Sequence, residues 1–128
     1  MDTKYLRILI FSIGIIVISC DKEVISQESI SPIIKTDLPE SGEVGQEIVI
    51  TVSHAVYNGC GYYSSQKTIQ TRNTFFVSFY ANYGEGICTM NIPILKTSYK
   101  FTPKNTGTYT FKFNSGENDY LTQTIIIK

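Results

Sequence analysis

From Glu47 to the C-terminus, apolar residues recur mostly at every second position and nowhere hold a sustained helical stripe. That period predicts extended chain through most of the sequence. Thr108 to Phe113 is the cleanest case, with Tyr109, Phe111 and Phe113 pointing one way and Thr108, Thr110 and Lys112 the other. Thr74 to Ala81 sets Phe75, Val77 and Phe79 against Phe76, Ser78 and Tyr80. Aromatics on both faces predict a central strand, or one whose outer face supports a binding patch. Glu47 to Tyr57 alternates Ile48, Ile50 and Val52 with Val49, Thr51 and Ser53, and places His54 in phase with the former set as a half-buried strand residue. Pro32 to Thr36, Ser98 to Thr102 and the β-branched Tyr120 to Lys128 complete the clear runs. Met90, Ile92 and Ile94 alternate around Pro93, whose missing N–H predicts an edge or a bulge. Turn-forming stretches at Leu38 to Gly42, Pro103 to Gly107 and Ser115 to Asp119 separate the runs. About seven short strands predict an all-β, two-sheet antiparallel sandwich over residues 32–128.

The chain has 128 residues, room for one such domain. Its first nineteen read differently. Lys4 and Arg7 form a short basic region, and Leu6 to Ile18 is apolar apart from Arg7, Ser12 and Gly14. That is the length of a signal-peptide core and short of the roughly 20 residues a membrane span needs. Val17-Ile18-Ser19-Cys20 resembles the lipobox of bacterial lipoprotein precursors, with Ile18 where a smaller residue is more usual. The resemblance implies a signal peptide over 1–19, removed to leave Cys20 acylated as the mature N-terminus. Residues 20–31, polar and without aromatics, are then a lipidated flexible tether, to which Val24, Ile25 and Ile30 could add a short edge strand, and 32–128 the folded domain. The implied partner is a lipid bilayer held through N-terminal acyl chains, each buried CH2 adding about 0.8 kcal/mol. The implied address is the bacterial cell envelope, at the outer membrane. The whole resembles the small lipoproteins of Bacteroidetes-type bacteria, a likeness from which no activity follows.

With Cys20 carrying lipid, Cys60 and Cys88 remain, in a compartment that permits oxidation. A bridge between them would close a loop of about 29 residues and stabilise the fold by roughly 3–4 kcal/mol through the entropy of the unfolded chain. The alternative is two free buried thiols.

The closing strands, Gly107-Thr108-Tyr109-Thr110-Phe111-Lys112-Phe113 and then a β-branched run, resemble the last hairpin of immunoglobulin-like and bacterial immunoglobulin-like domains. The resemblance implies an immunoglobulin-like sandwich in which Tyr109 caps the preceding corner through its hydroxyl, as the tyrosine corner. The family's second core cysteine falls near Phe111 here and the chain has no tryptophan, so a bridge from Cys60 to Cys88 would be a different, peripheral one.

Nothing in the residues points to catalysis, a metal or a cofactor, and the expectation is of a chain that is not an enzyme. The lone histidine, His54, has no second histidine to share a zinc ion. The acids after residue 47, Glu85, Glu117 and Asp119, fall in expected turns. Formal net charge is zero, but residues 21–47 carry a net five negative and 48–128 a net four positive. With no arginine-rich run and an exported address, nucleic acid is not an expected partner. Tyr57, Tyr62, Tyr63, Tyr80 and Tyr83 lie near the two cysteines in sequence, and a bridge would gather their loops. Tyrosine supplies rigid contact area and a hydroxyl at small entropic cost. The chain therefore reads as a membrane-anchored accessory module that recognises a glycan, peptide or envelope protein through this end. The competing reading is a structural subunit assembled through strand edges near Pro93 or Lys128.

Overall fold

The computed structural model describes residues 28–128, which form nine strands in two packed sheets. In chain order these are β1 (Ser29–Ile30), β2 (Ile33–Asp37), β3 (Ser41–Gly42), β4 (Ile48–Ala55), β5 (Gly61–Thr71), β6 (Thr74–Tyr83), β7 (Ile94–Phe101), β8 (Gly107–Gly116) and β9 (Asp119–Ile127). The large sheet runs β5-β6-β8-β9-β3, and β1 shares the β8 side of β6 at its far end. The small sheet is β2-β4-β7. The fold is all-β and sandwich-like.

Inward positions alternate as the pleat requires. Phe75, Val77, Phe79 and Ala81 of β6, Tyr109, Phe111 and Phe113 of β8, and Ile48, Ile50 and Val52 of β4 are all buried. β6 is central, with β5 on one side and β8 and β1 on the other, which is why both its faces carry aromatics. Phe75 stacks on Phe111 at 5.1 Å, and Phe101 from the small sheet meets both edge-on at 5.1 Å. Such a cluster bolts one sheet to the other, each buried ring contributing about 1.5–3 kcal/mol.

The expected antiparallel order is only partly present. β6 and β8 run parallel over Thr74–Val77 and Thr110–Phe113, and β3 runs parallel to the end of β9. The cause is parity. β7 reverses direction in the opposite sheet, so a β8 that returns beside β6 must share its direction. Nine strands replace about seven because β1, β3 and β5 are added and one expected strand, around Met90 and Ile92, is absent. Residues 29–31, expected in the tether, belong to the fold: β1 pairs with Tyr80 and Ala81, and Ser31 is buried. Conversely, the strand expected around Met90 and Ile92 is a loop, and β7 begins after Pro93 as an edge strand of the small sheet.

Candidate functional site at the disulfide end

Three segments meet at one end of the sandwich: residues 56–60 after β4, the start of β5, and the 84–93 loop between β6 and β7. Cys60 and Cys88 form a disulfide with Cα atoms 5.3 Å apart. Backbone bonds tie the loop along its length. Gly84 N–H donates to the Cys60 carbonyl (3.1 Å), Gly59 N–H to the Thr89 carbonyl (2.9 Å) and Val56 N–H to the Pro93 carbonyl (3.2 Å). The glycines serve two needs. Gly86 takes a left-handed φ of +112°, whereas Gly61 provides space, since a Cβ there would lie 2.5 Å from Val56 Cβ.

The pinned loop turns its apolar side chains outward. Ile87 and Met90 are fully solvated, at 105% and 93% exposure, and Ile92 is 65% exposed. Sequence alternation had assigned Met90 and Ile92 to a strand face, and their burial in a sheet was the signal that failed.

The five tyrosines do not form one cluster. Tyr57 and Tyr83 stack at 5.9 Å beside the loop, and the Tyr57 N–H donates to the Tyr83 hydroxyl (2.9 Å). Tyr62 is exposed opposite Asn82, and Tyr80 is half-buried opposite Ser65 and Ile30 on the same outer face of the large sheet. Tyr63 faces inward, edge-on to His54 and Phe79, and its hydroxyl accepts from Gln66 Nε2 (3.0 Å). A bulge between Tyr63 and Ser65 resets the alternation so that Tyr63 and Gln66 share the inner side. Tyr109 lies at the opposite end, its hydroxyl donating to the Asn105 carbonyl at 2.7 Å.

Beneath the disulfide end lies a polar constellation that the sequence concealed. His54, expected half-buried, is fully buried, as is Ser31. Ser31 Oγ donates to the Ala55 carbonyl (2.6 Å) and so accepts from His54 Nδ1–H (2.6 Å), leaving Nε2 to accept from Thr97 Oγ1 (2.8 Å). Burial pushes the imidazole pKa below its ordinary 6.5 and favours this neutral tautomer. A serine beside a histidine has the parts of a nucleophilic pair. Here both are closed to solvent, and the arrangement joins the β1–β2 connection to β4 and β7.

Among the described residues, no group of three or more His, Cys, Asp or Glu side chains could hold a metal ion, and no helix is long and apolar enough to cross a membrane. Cys20, the leader and most of the expected tether lie outside the described residues.

Two packed sheets, an aromatic core and a peripheral disulfide define the molecule as a small β-sandwich domain. More particularly, the family model of the ORF11 beta-sandwich domain matches residues 50–126, and the chain belongs to that family. Neither a curated protein nor a solved structure matches it.

Proposed function

We propose that the chain is a non-catalytic contact module of the bacterial envelope, anchored by acyl chains on Cys20, which meets its partner through the disulfide end. The observation supporting this is the 84–93 loop. A soluble domain has no folding reason to fix three apolar side chains in water, and an exposed apolar patch marks a contact surface. Fixing the loop by a disulfide and backbone bonds before contact reduces the ordering cost of association.

The chemistry suits an apolar partner better than a glycan. Sugar rings stack on free aromatic faces, whereas Ile87, Met90 and Ile92 are aliphatic and Tyr57 lies against Tyr83. The immunoglobulin-like reading is supported by the Tyr109 hydroxyl on the corner carbonyl and by β3 running beside the last strand; the parallel β6–β8 pair departs from it.

A photoreactive residue at position 89, in cells making the full chain, tests the contact surface. We expect an adduct with protein or lipid that is lost when Ile87, Met90 and Ile92 are replaced by serine. An adduct indifferent to those replacements, or none, would sink the reading.

The strand-edge alternative keeps the edge next to Pro93, where β7 is the open strand of the small sheet. At Lys128 the end of β9 is covered by β3, with Lys128 N–H donating to the Gly42 carbonyl (3.0 Å). β5 is the long open edge of the large sheet: eleven residues paired on one side to β6 alone. Proline at Gln66, mid-edge, where the N–H faces the open side, would block assembly through it while sparing the loop.

A further inference from the structure

The chain reaches the fold at the disulfide end. β1 is antiparallel to β6, with Ser29 opposite Ala81 and Ile30 opposite Tyr80, so Glu28 lies level with Asn82 at the loop-bearing end of β6. Its carboxylate accepts from the Ser64 and Ser65 hydroxyls, and Ser64 in turn accepts from Asn82 Nδ2 (3.1 Å). Seven residues separate Cys20 from Glu28. Whatever their conformation, they span at most about 29 Å. β5 alone, at eleven residues, is about 36 Å long. The anchor is therefore tied to the same end as the apolar loop, by a tether shorter than the domain.

We infer that the partner of the disulfide end is the bilayer surface itself, with Ile87, Met90 and Ile92 seated at the boundary of headgroups and acyl chains and Tyr57 beside them at headgroup level. This rests on the acyl anchor at Cys20 proposed above. Tethering raises the concentration of the loop at the membrane, and apolar residues at the interface add their buried area to the attachment the acyl chains supply. Glu85 is the one charged residue between Gly84 and Pro93, so seating depends on apolar area and not on anionic lipid. The opposite end, with Lys104 and Asn105, then points away from the membrane.

The chain has no tryptophan, so a single one reports its own surroundings. The acylated protein with Met90→Trp, and separately with Ile87→Trp or Lys104→Trp, is reconstituted in phosphatidylethanolamine/phosphatidylglycerol vesicles whose lipids are brominated near the glycerol end of the acyl chain. All three positions are exposed, and none of the replacements touches the core. We expect blue-shifted, quenched emission from positions 87 and 90 and unshifted, unquenched emission from position 104. Water-like emission from 87 and 90 with an intact acyl mass on Cys20 would overturn the seating and leave the anchor standing. Equal quenching at all three positions would also overturn it, since the domain would then lie on its side. An unmodified Cys20 by intact mass would remove the anchor, and the seating with it.

Discussion

At one end of the sandwich the loops close over aromatic rings, while at the other they are tied by a disulfide and turn their apolar side chains out. Around the first, Phe75, Phe101, Tyr109 and Phe111 pack with centroids 5.1–5.3 Å apart between nearest neighbours. These rings reach a pocket of about 260 Å³ rimmed by Asn73, Lys104 and Asn105. At the second, the space between the sheets is given to Ser31, His54, Thr97 and Tyr63, whose polar atoms need partners. Hydrogen bonds there recover what desolvation costs and little more. An end closed that way gains from a covalent tie that the aromatic end does without. It also leaves its apolar loop residues free for something other than folding.

Removing the tie should have the largest effect. Cys60→Ala with Cys88→Ala is expected to cost roughly 3–4 kcal/mol, read from urea unfolding extrapolated to water, with a steeper slope because the unlinked unfolded chain is less compact. Hydrogen exchange should then accelerate across 84–93 and spare the β7–β8 loop. Uniform acceleration through both ends would erase the contrast between them.

Next comes acid. Because burial lowers the His54 pKa, the unfolded chain takes up a proton at higher pH than the folded chain does. Stability is unaffected above about 6.5 and falls as pH drops below it toward the folded-state pKa, by at most about 1.4 kcal/mol per pH unit. Denaturation at a series of pH values should show that slope opening below pH 6.5 in the natural chain and its loss in His54→Gln. An unchanged slope in the variant would assign the acid sensitivity elsewhere.

At the aromatic end, Tyr109→Phe removes one hydroxyl donor and keeps the ring. Its expected cost is about 1 kcal/mol, with exchange faster around Asn105 and not at the disulfide. Smallest of all, serine at 87, 90 and 92 together should shift folding stability by no more than about 0.5 kcal/mol. A large loss there would mean that the loop packs in the folded state, and the difference between the ends would collapse.

How much of this was legible depends on whether a strand has a face to bury. β4, β6 and β8 announce themselves through alternation, and β9 through β-branched residues. β5 does not: in Tyr62-Tyr63-Ser64-Ser65-Gln66-Lys67-Thr68-Ile69-Gln70 both faces are largely polar, because an edge strand covers little core. Thr68 Oγ1 and the Tyr99 hydroxyl, 2.9 Å apart, close that edge by hydrogen bonding, which leaves no hydrophobic pattern. Its turn is equally quiet, for Arg72 holds a φ of +55° where Gly or Asn would have signalled a reversal. Met90 and Ile92 gave the opposite error, since a period of two describes side-chain spacing and cannot state that a sheet lies underneath. The tyrosines were near in sequence, but strand parity and one bulge sent Tyr63 inward while Tyr62 stayed out.

Local physics, then, determined the class. Backbone preference and the pleat act between residues one to four apart, so the all-β content, the main turns and the inward set Phe75, Val77, Phe79, Tyr109, Phe111 and Phe113 were present in the amino-acid order. Tertiary structure alone decided which strands are neighbours, that β6 and β8 run parallel, that His54 is sealed between Ser31 and Thr97, and that the apolar loop lies at the end the chain enters. Each of these depends on contacts between residues tens of positions apart, and an apolar face is satisfied by any complementary face. Only the closed set of all the pairings selects which one it meets.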